Sequence, residues 1–296
     1  MISLGIDTSN YTTSVAVASD GKVLLDNRKL LNVKQGELGL RQSDALYQHW
    51  ENLPVLLEEA LKYKIDNIIV STRPRPKEGS YMPVFNAGKN IANILGHALN
   101  IPVIYASHQE GHILSASFGK DVDFSKKTVY CHLSGGTLEL IDNKFNILFA
   151  TKDISYGQLI DRTGLILGMS FPSGKEIDEL AIKDSNKSNP LSKIHINENS
   201  LNLSGLENQI KDLAERKVSK EEISYYLMQR ISESLVNIID STNIDQVIVA
   251  GGVASSKFIR NYCKDKKYIF GDPKLCSDNA VGLALSGGNF PWQLNQ

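Results

Sequence analysis

The sequence predicts an α/β protein made of two copies of one lobe, and three observations carry that prediction. Each half opens with the same run of strand, polar loop, strand, turn and strand, over 2–7, 12–18 and 23–31 in the first half and 128–133, 137–141 and 146–150 in the second. Each run is followed by alternating helical and strand-like segments. The 296 residues, 42% hydrophobic and 22% charged, are enough for two packed cores without covalent staples. A pattern that recurs at half the chain length marks an internal duplication. The charged stretch 121–127 divides the copies, giving lobes over 1–124 and 125–296.

The elements follow in order. Asp20-Gly21 is a strong hairpin signal, because tight hairpin turns need positive φ. A helix is expected over 43–64, with Pro54 kinking or splitting it, since proline lacks an N–H and crowds the preceding turn. Segment 67–71 reads as a strand, 84–99 as a helix and 103–106 as a strand. In the second half, Asp142-Asn143 makes the hairpin turn, and helices are expected over 156–168, 175–183 and 219–242. Ser219 and Glu222 stand at capping-box spacing at the start of the last of these. A strand at 246–250, a helix at 255–264, a strand at 268–270 and a helix at 279–286 complete the chain. The stretch 184–202, rich in Asn, Ser and Lys, reads as a mobile surface excursion.

Bulk properties exclude several classes. There is no apolar run of membrane-spanning length. The first seven residues carry neither a basic region nor a cleavage site, so no signal peptide is expected. Three cysteines, Cys131, Cys263 and Cys276, are too few and scattered for a disulfide framework and fit a reducing cytoplasm; Cys131 and Cys276 read as small core residues. A net charge of −1 and a pI of about 6.6 give no global sign of nucleic-acid binding. The small basic clusters Arg73, Arg75, Lys77 and Lys264, Lys266, Lys267 read as solvated surface.

Two polar turns occupy equivalent places in the two halves: Asp7-Thr8-Ser9 and Ser134-Gly135-Gly136-Thr137. Such turns can aim N–H groups and hydroxyls at a phosphate, and glycine permits close approach. Either alone reads first as an ordinary hairpin turn; their matched placement suggests a nucleotide held by both lobes. A third element is the strand 247–250 running into Gly251-Gly252, with Ser255 or Ser256 as N-cap of the next helix. It is not a dinucleotide fingerprint, which needs three spaced glycines. A sharper signal is Ser107-His108-Gln109-Glu110-Gly111-His112. Ser107 and Glu110 have capping-box spacing, so a helix starts there and puts His108 and His112 on one face. Two imidazoles one turn apart can share a divalent metal. Asp278 is the candidate third ligand, its other role being a helix N-cap. Two histidines and a carboxylate suit iron or zinc.

These motifs resemble, nearly end to end, those of the TsaD family, the tRNA threonylcarbamoyladenosine transferases also labelled O-sialoglycoprotein endopeptidases or glycoproteases. Gly5-Ile6-Asp7-Thr8-Ser9 is similar to the family's first phosphate loop, His108 to His112 to its metal-binding His pair, and Leu133-Ser134-Gly135-Gly136 to its second phosphate loop. Segment 157–168, the turn Phe171-Pro172-Ser173-Gly174, the adenosine loop Ala250-Gly251-Gly252-Val253 and the metal segment Cys276-Ser277-Asp278-Asn279 complete the resemblance. It implies a two-lobed actin-like ATPase (ASKHA) fold with duplicated RNase H-like lobes. It implies one divalent metal, iron or zinc, on His108, His112 and Asp278. An adenine nucleotide (ATP, AMP or an acyl-adenylate) would meet Thr8, Ser9, Ser134, Gly135, Gly136, Gly251 and Gly252. Asp161 and Gly174 would contact its ribose and base, and Asp178 matches a further binding position. Ser256 stands where the family has asparagine. The implied reaction moves a threonylcarbamoyl group from its adenylate to adenosine of tRNA in the cytoplasm. Helper proteins would assist, with a paralogous subunit or a second copy as partner.

The chain departs from the family pattern at four places. Asn10-Tyr11-Thr12-Thr13 replaces acidic residues, Thr137 replaces His, Arg162 replaces Lys, and a Pro/Arg-rich loop over 71–81 replaces a glycine-rich segment. Those changes keep a second reading open, a non-catalytic nucleotide-binding scaffold of the same fold. The endopeptidase reading ranks last, because the Glu of the zinc-protease His-Glu-x-x-His motif is absent here.

Overall fold

The computed structural model describes residues 1–9, 11–33, 40–183, 188–265 and 267–290. Asn10, Lys266 and part of the excursion (184–187), all singled out above, lie outside the described residues. The chain opens with β1 (Ile2–Asp7) and β2 (Thr12–Ser19), paired antiparallel from Ile2 opposite Ser19 to Asp7 opposite Ser14. Asp20 and Gly21 both have positive φ, 50° and 71°, as the tight turn into β3 (Lys22–Leu30) requires. Next come α1 (Gln42–Ala60), β4 (Asn67–Arg73), α2 (Asn86–Leu99), β5 (Val103–Ser107) and α3 (His108–Ser117). Helix α1 runs through Pro54 without a break, contrary to expectation. Trp50, whose carbonyl loses its partner to the proline, lies on the exposed face with Pro54, where water can serve that carbonyl.

The second half supplies β6 (Thr128–Leu133), β7 (Leu138–Ile141), β8 (Ile147–Thr151), α4 (Tyr156–Ile166) and α5 (Gly174–Lys183). It continues with β9 (Ile196–Asn197), β10 (Ser200–Leu201), α6 (Ser204–Glu215) and α7 (Lys220–Asp240). Then follow β11 (Gln246–Ala250), α8 (Lys257–Tyr262), β12 (Tyr268–Phe270) and finally α9 (Val281–Ser286). The first sheet has the order β3-β2-β1-β4-β5 and the second β12-β11-β6-β7-β8-β10-β9. Without the β9–β10 addition, the second order repeats the first. The antiparallel meander and the parallel outer pair also match, so the duplication is written in the strand pairing.

Two parts of the sequence reading are corrected. Part of the expected excursion is built into the sheet: Ser200 and Leu201 pair with Ala150 and Thr151 of β8, and Leu201 is fully buried. Helix α6 was not anticipated. Its buried face, Leu206, Ile210 and Leu213, has helical spacing. Its start carries no local capping side chain; instead Asp153, about fifty residues earlier, accepts from Leu203 N (3.0 Å) and Ser204 N (2.8 Å).

The lobe boundaries differ as well. The chain forms two compact units, Met1–Asp121 joined by the segment beginning at Lys274, and Val122–Pro273. The final segment therefore belongs with the first unit, where the sequence reading gave it to a lobe over 125–296. Its helix α9 packs on β1, β2 and α3. Small residues make this possible: Ala16, Ala18, Ala280, Val281 and Ala284 form one core cluster. A Cβ on Gly5 would stand 2.4 Å from Ala280 O and 2.8 Å from Ala284 N. The main core of this unit joins Leu4, Ile6, Val15 and Val17 to Leu53 and Leu57 of α1 and to Ile68 and Val70 of β4. Each fully buried aliphatic side chain contributes roughly 1.5–3 kcal/mol by leaving water. Among the described residues no helix is long and apolar enough to cross a membrane.

Candidate metal centre and nucleotide cleft

The first unit gathers the two histidines and Asp278. Ser107 leaves β5 with extended backbone and caps α3: its hydroxyl accepts from Glu110 N (3.2 Å), and the Glu110 carboxylate accepts from Ser107 N (2.7 Å). This is the capping box anticipated from sequence. It fixes where the helix starts, and so sets both His108 and His112 on one face. Gln109 N, also at the helix start, donates to Pro74 O (3.1 Å), so the Pro/Arg loop is pinned to the same helix end. Asp278 arrives on the loop before α9. Asn279 holds that loop: its carboxamide oxygen accepts from Ser115 Oγ (2.9 Å) and Val281 N (2.9 Å), and its nitrogen donates to Leu275 O and Ser277 O. Asn279, not Asp278, therefore serves the first turn of α9. Arg28 of β3 adds a tether through Lys274 O (2.9 Å) and Ser277 Oγ (3.1 Å).

The three side chains converge. His108 Nε2 lies 3.0 Å from His112 Nε2, and Asp278 Oδ1 lies 3.6 and 3.3 Å from the two nitrogens. One ligand atom from each falls within 4.8 Å of the others. The Asp7 carboxylate, buried at the end of β1, takes His108 Nδ1 at 3.2 Å. Burial opposes charge on the His108 ring, but Asp7 and then Asp278 outweigh it and raise the imidazole to about 9. Burial and the neighbouring His108 charge push His112 below its ordinary value. Burial works against the Asp7 charge too, yet His108 outweighs it and holds that carboxyl below the usual range. The centre thus stabilises one positive charge between two carboxylates. Its donor set of two imidazole nitrogens and one carboxylate oxygen fits a single iron or zinc ion.

The second unit holds a cleft of about 510 Å³. It is lined by Gly135 from the β6–β7 turn, Asp161 of α4, Gly174 and Asp178 of α5, and Gly252 and Ser256 beyond β11. The sequence reading named these six at separate places along the chain, and the fold brings them to one place. The Ser134 turn is closed by Ser134 N to Thr137 O (2.9 Å) and Thr137 N to Ser134 Oγ (3.0 Å), which leaves Gly135 and Gly136 exposed at its tip. Helix α4 presses on that turn: a Cβ on Gly157 would meet Gly135 Cα at 2.5 Å. Gly251 has φ +97°, and a Cβ there would stand 2.3 Å from Leu133 O. Gly251→Ala is therefore expected to cost about 3 kcal/mol from a strained backbone and a backbone clash. Gly252 faces open space, so Gly252→Ala should stay within about 1 kcal/mol. Urea unfolding of both variants checks the contrast, and equal midpoints would refute it.

Other site residues have structural duties. Asp178 accepts from Ser256 Oγ, Lys257 N (2.9 Å) and Phe258 N (3.1 Å), and so caps α8. Ser256, rather than Ser255, is the N-cap of α8, accepting from Ile259 N (3.1 Å). Asp161 accepts from Ser173 N (2.8 Å), and burial pushes its carboxyl up from the ordinary value. Ser134, Gly136 and Gly251 do not line the cleft. Thr8 and Ser9 belong to the first unit, where both are buried. Sequence reasoning missed the individual roles of Asp7, Ser71 and Asn279, and the cleft-lining Lys175 and Lys257. Asp7 and Asn279 stand inside motifs quoted above, but no role of their own was read for them. Cys131 and Cys276 are buried, as expected of core residues, and Cys263 is buried too.

Residues 27–285 match the TsaD family model, described as tRNA N6-adenosine threonylcarbamoyltransferase. The protein of that name from Ligilactobacillus salivarius (strain UCC118) is 28% identical over 316 residues, covering 97% of this chain and 90% of the relative. That from Thermosipho africanus (strain TCF52B) is 28% identical over 314 residues, covering 97% and 93%. Among solved structures, T. kodakarensis HypF superposes with a TM-score of 0.60 at 13% identity, over 99% of this chain and 48% of that one. Component A of the (R)-2-hydroxyglutaryl-CoA dehydratase of Acidaminococcus fermentans does so with a TM-score of 0.57 at 15% identity, over 99% and 97%. The fold shared with these structures is the actin-like ATPase fold. Since the family match runs through both units, from β3 to α9, the chain belongs to the TsaD family of tRNA N6-adenosine threonylcarbamoyltransferases.

Proposed function

We propose that this chain transfers a threonylcarbamoyl group from its adenylate to the exocyclic amine of an adenosine in tRNA, in the cytoplasm. The observation that carries the reading is the convergence of His108, His112 and Asp278 in a chain of this family. These three residues would hold one divalent ion, iron or zinc. When bound, such an ion supplies a Lewis acid for an acyl carbonyl.

The cleft of the second unit takes the adenosine of the donor. Gly135, Gly174 and Gly252 offer backbone without side chains, so a ribose or a flat ring can lie close. Asp161, with one oxygen held by Ser173 N, turns its carboxylate to a ribose hydroxyl. Lys175 and Lys257 line the same cleft and suit the phosphate of an adenylate. Asp178 and Ser256 act by keeping the start of α8 in place. Fixing the donor in this way turns acyl transfer into a reaction between positioned groups. With a net charge of −1, the chain itself has little electrostatic hold on tRNA. Helper proteins, a paralogous subunit or a second copy would provide it.

The test is to load the protein with iron or zinc and supply threonylcarbamoyl-adenylate and tRNA, with and without partner proteins. The tRNA is then digested and its nucleosides weighed by mass spectrometry. Modified adenosine that depends on this chain supports the reading. A protein that holds metal and nucleotide yet forms no product under any of these conditions would instead be the non-catalytic scaffold.

A further inference from the structure

We infer that the first polar turn, Asp7-Thr8-Ser9, serves the metal centre in place of a phosphate, with Asp7 as the positioning residue of His108. The inference rests on the metal reading proposed above for His108, His112 and Asp278. Asp7 is 1% exposed and takes three donors from three parts of the chain: Ser9 Oγ (2.7 Å), Ser71 Oγ and His108 Nδ1 (3.2 Å). A buried carboxylate is costly unless each oxygen is satisfied, and here both are. The donors from its own turn, from β4 and from α3 leave the carboxylate a single orientation. An imidazole has two nitrogens. With Nδ1 given to Asp7, the other nitrogen, Nε2, is the one that faces His112 and Asp278. A carboxylate behind a histidine ligand sets the ring's tautomer and angle and raises its basicity.

The other two side chains of the turn also point inward. Ser9 donates to Asp7. Thr8 is fully buried; its hydroxyl donates to Val84 O (3.3 Å) and accepts from Gly88 N (3.2 Å), which ties the turn to the start of α2. Both hydroxyls expected to meet phosphate are thus engaged within the unit. A Cβ on Gly88 would come within 3.0 Å of Thr8 Oγ1, so α2 is seated closely on this turn.

Asp7→Asn tests the inference. The amide keeps the size and one acceptor oxygen but removes the negative charge behind the ring. Zinc affinity, measured by chelator competition, is expected to fall about 10–100-fold, while AMP affinity stays within about twofold. The reverse pattern, zinc affinity kept and AMP affinity lost, would overturn the inference and restore a phosphate turn. Ser71→Ala removes one donor to Asp7 without emptying the site. It is expected to weaken zinc by about 3–10-fold, a partial form of the same effect, and gives a second reading if Asp7→Asn fails to fold. A third measurement needs no metal. In protein labelled with 15N at histidine, the His108 Nδ1 proton should be protected from exchange in the parent and lost from the spectrum in Asp7→Ala. Its persistence in that variant would sink the role of Asp7. If the parent itself takes up no zinc or iron, the proposed function fails while this proton still decides whether Asp7 fixes the ring.

Discussion

Asp278→Ala is expected to lower threonylcarbamoyl transfer about 10³-fold or more, with the melting temperature close to that of the parent. On the metal reading proposed above, removing one of three ligands would forfeit the several kcal/mol of charge stabilisation that a bound ion provides, and each 1.36 kcal/mol is about tenfold in rate. The Asp278 side chain is 19% exposed, and Asn279 carries four hydrogen bonds that hold the loop. The cost of Asp278→Ala should therefore fall on metal and activity, not on folding. His108→Ala should lose the same activity but also destabilise the protein by about 3–5 kcal/mol, because it strands the buried Asp7 carboxylate without its cationic partner. Elemental analysis and urea unfolding of the two variants separate these effects. Full metal content in Asp278→Ala would remove Asp278 from the ligand set.

The second large effect is expected at Gly282. A Cβ there would stand 2.2 Å from Gly111 O and 2.6 Å from Ser115 N, backbone atoms of α3 that have no freedom to yield. Gly282 N also donates to Ser115 Oγ (3.0 Å), so the two helices touch at this point. Gly282→Ala must part α9 from α3, at a cost of about 3 kcal/mol. The consequence reaches the centre, since α3 carries both histidines and α9 follows directly on Asp278. A displacement of about 1 Å is enough to cost on the order of 10²-fold in a positioned reaction. Thermal melts and metal titration of Gly282→Ala measure both parts. A parent-like melt together with parent-like metal affinity would mean that this close contact does not set the ligand geometry.

Local signals were the legible ones. The Ser107–Glu110 capping box, the His108–His112 spacing, the Asp20-Gly21 turn and the two strand-turn-strand openings all act within a few residues, and each appears as the sequence predicts. What escaped depends on distance along the chain. Asp153 caps α6 from about fifty residues away, so no capping residue marks its start. Asp7 meets His108 across 101 residues, and Asn279 meets Ser115 across 164. A lone Asp or Asn in sequence carries no sign of such a partner. Asp178 shows the opposite difficulty. The family resemblance names it as a binding position and it lines the cleft, but its carboxylate serves the backbone of α8. The resemblance pointed to the residue, and only the three-dimensional contacts gave its work. Pro54 shows a local rule softened by surroundings, since its helix continues where water can serve the freed carbonyl.

The return of the segment after Lys274 to the first unit has a consequence for biosynthesis. The two histidines leave the ribosome more than 150 residues ahead of Asp278, and the whole of the second unit is made in between. Until the last stretch emerges, β1 and β2 lack the helix that covers them, and the histidine pair lacks its carboxylate. Chains cut short anywhere before Asp278 cannot assemble the three-ligand set. On the metal reading proposed above, uptake by all three ligands would have to wait until Asp278 has been made.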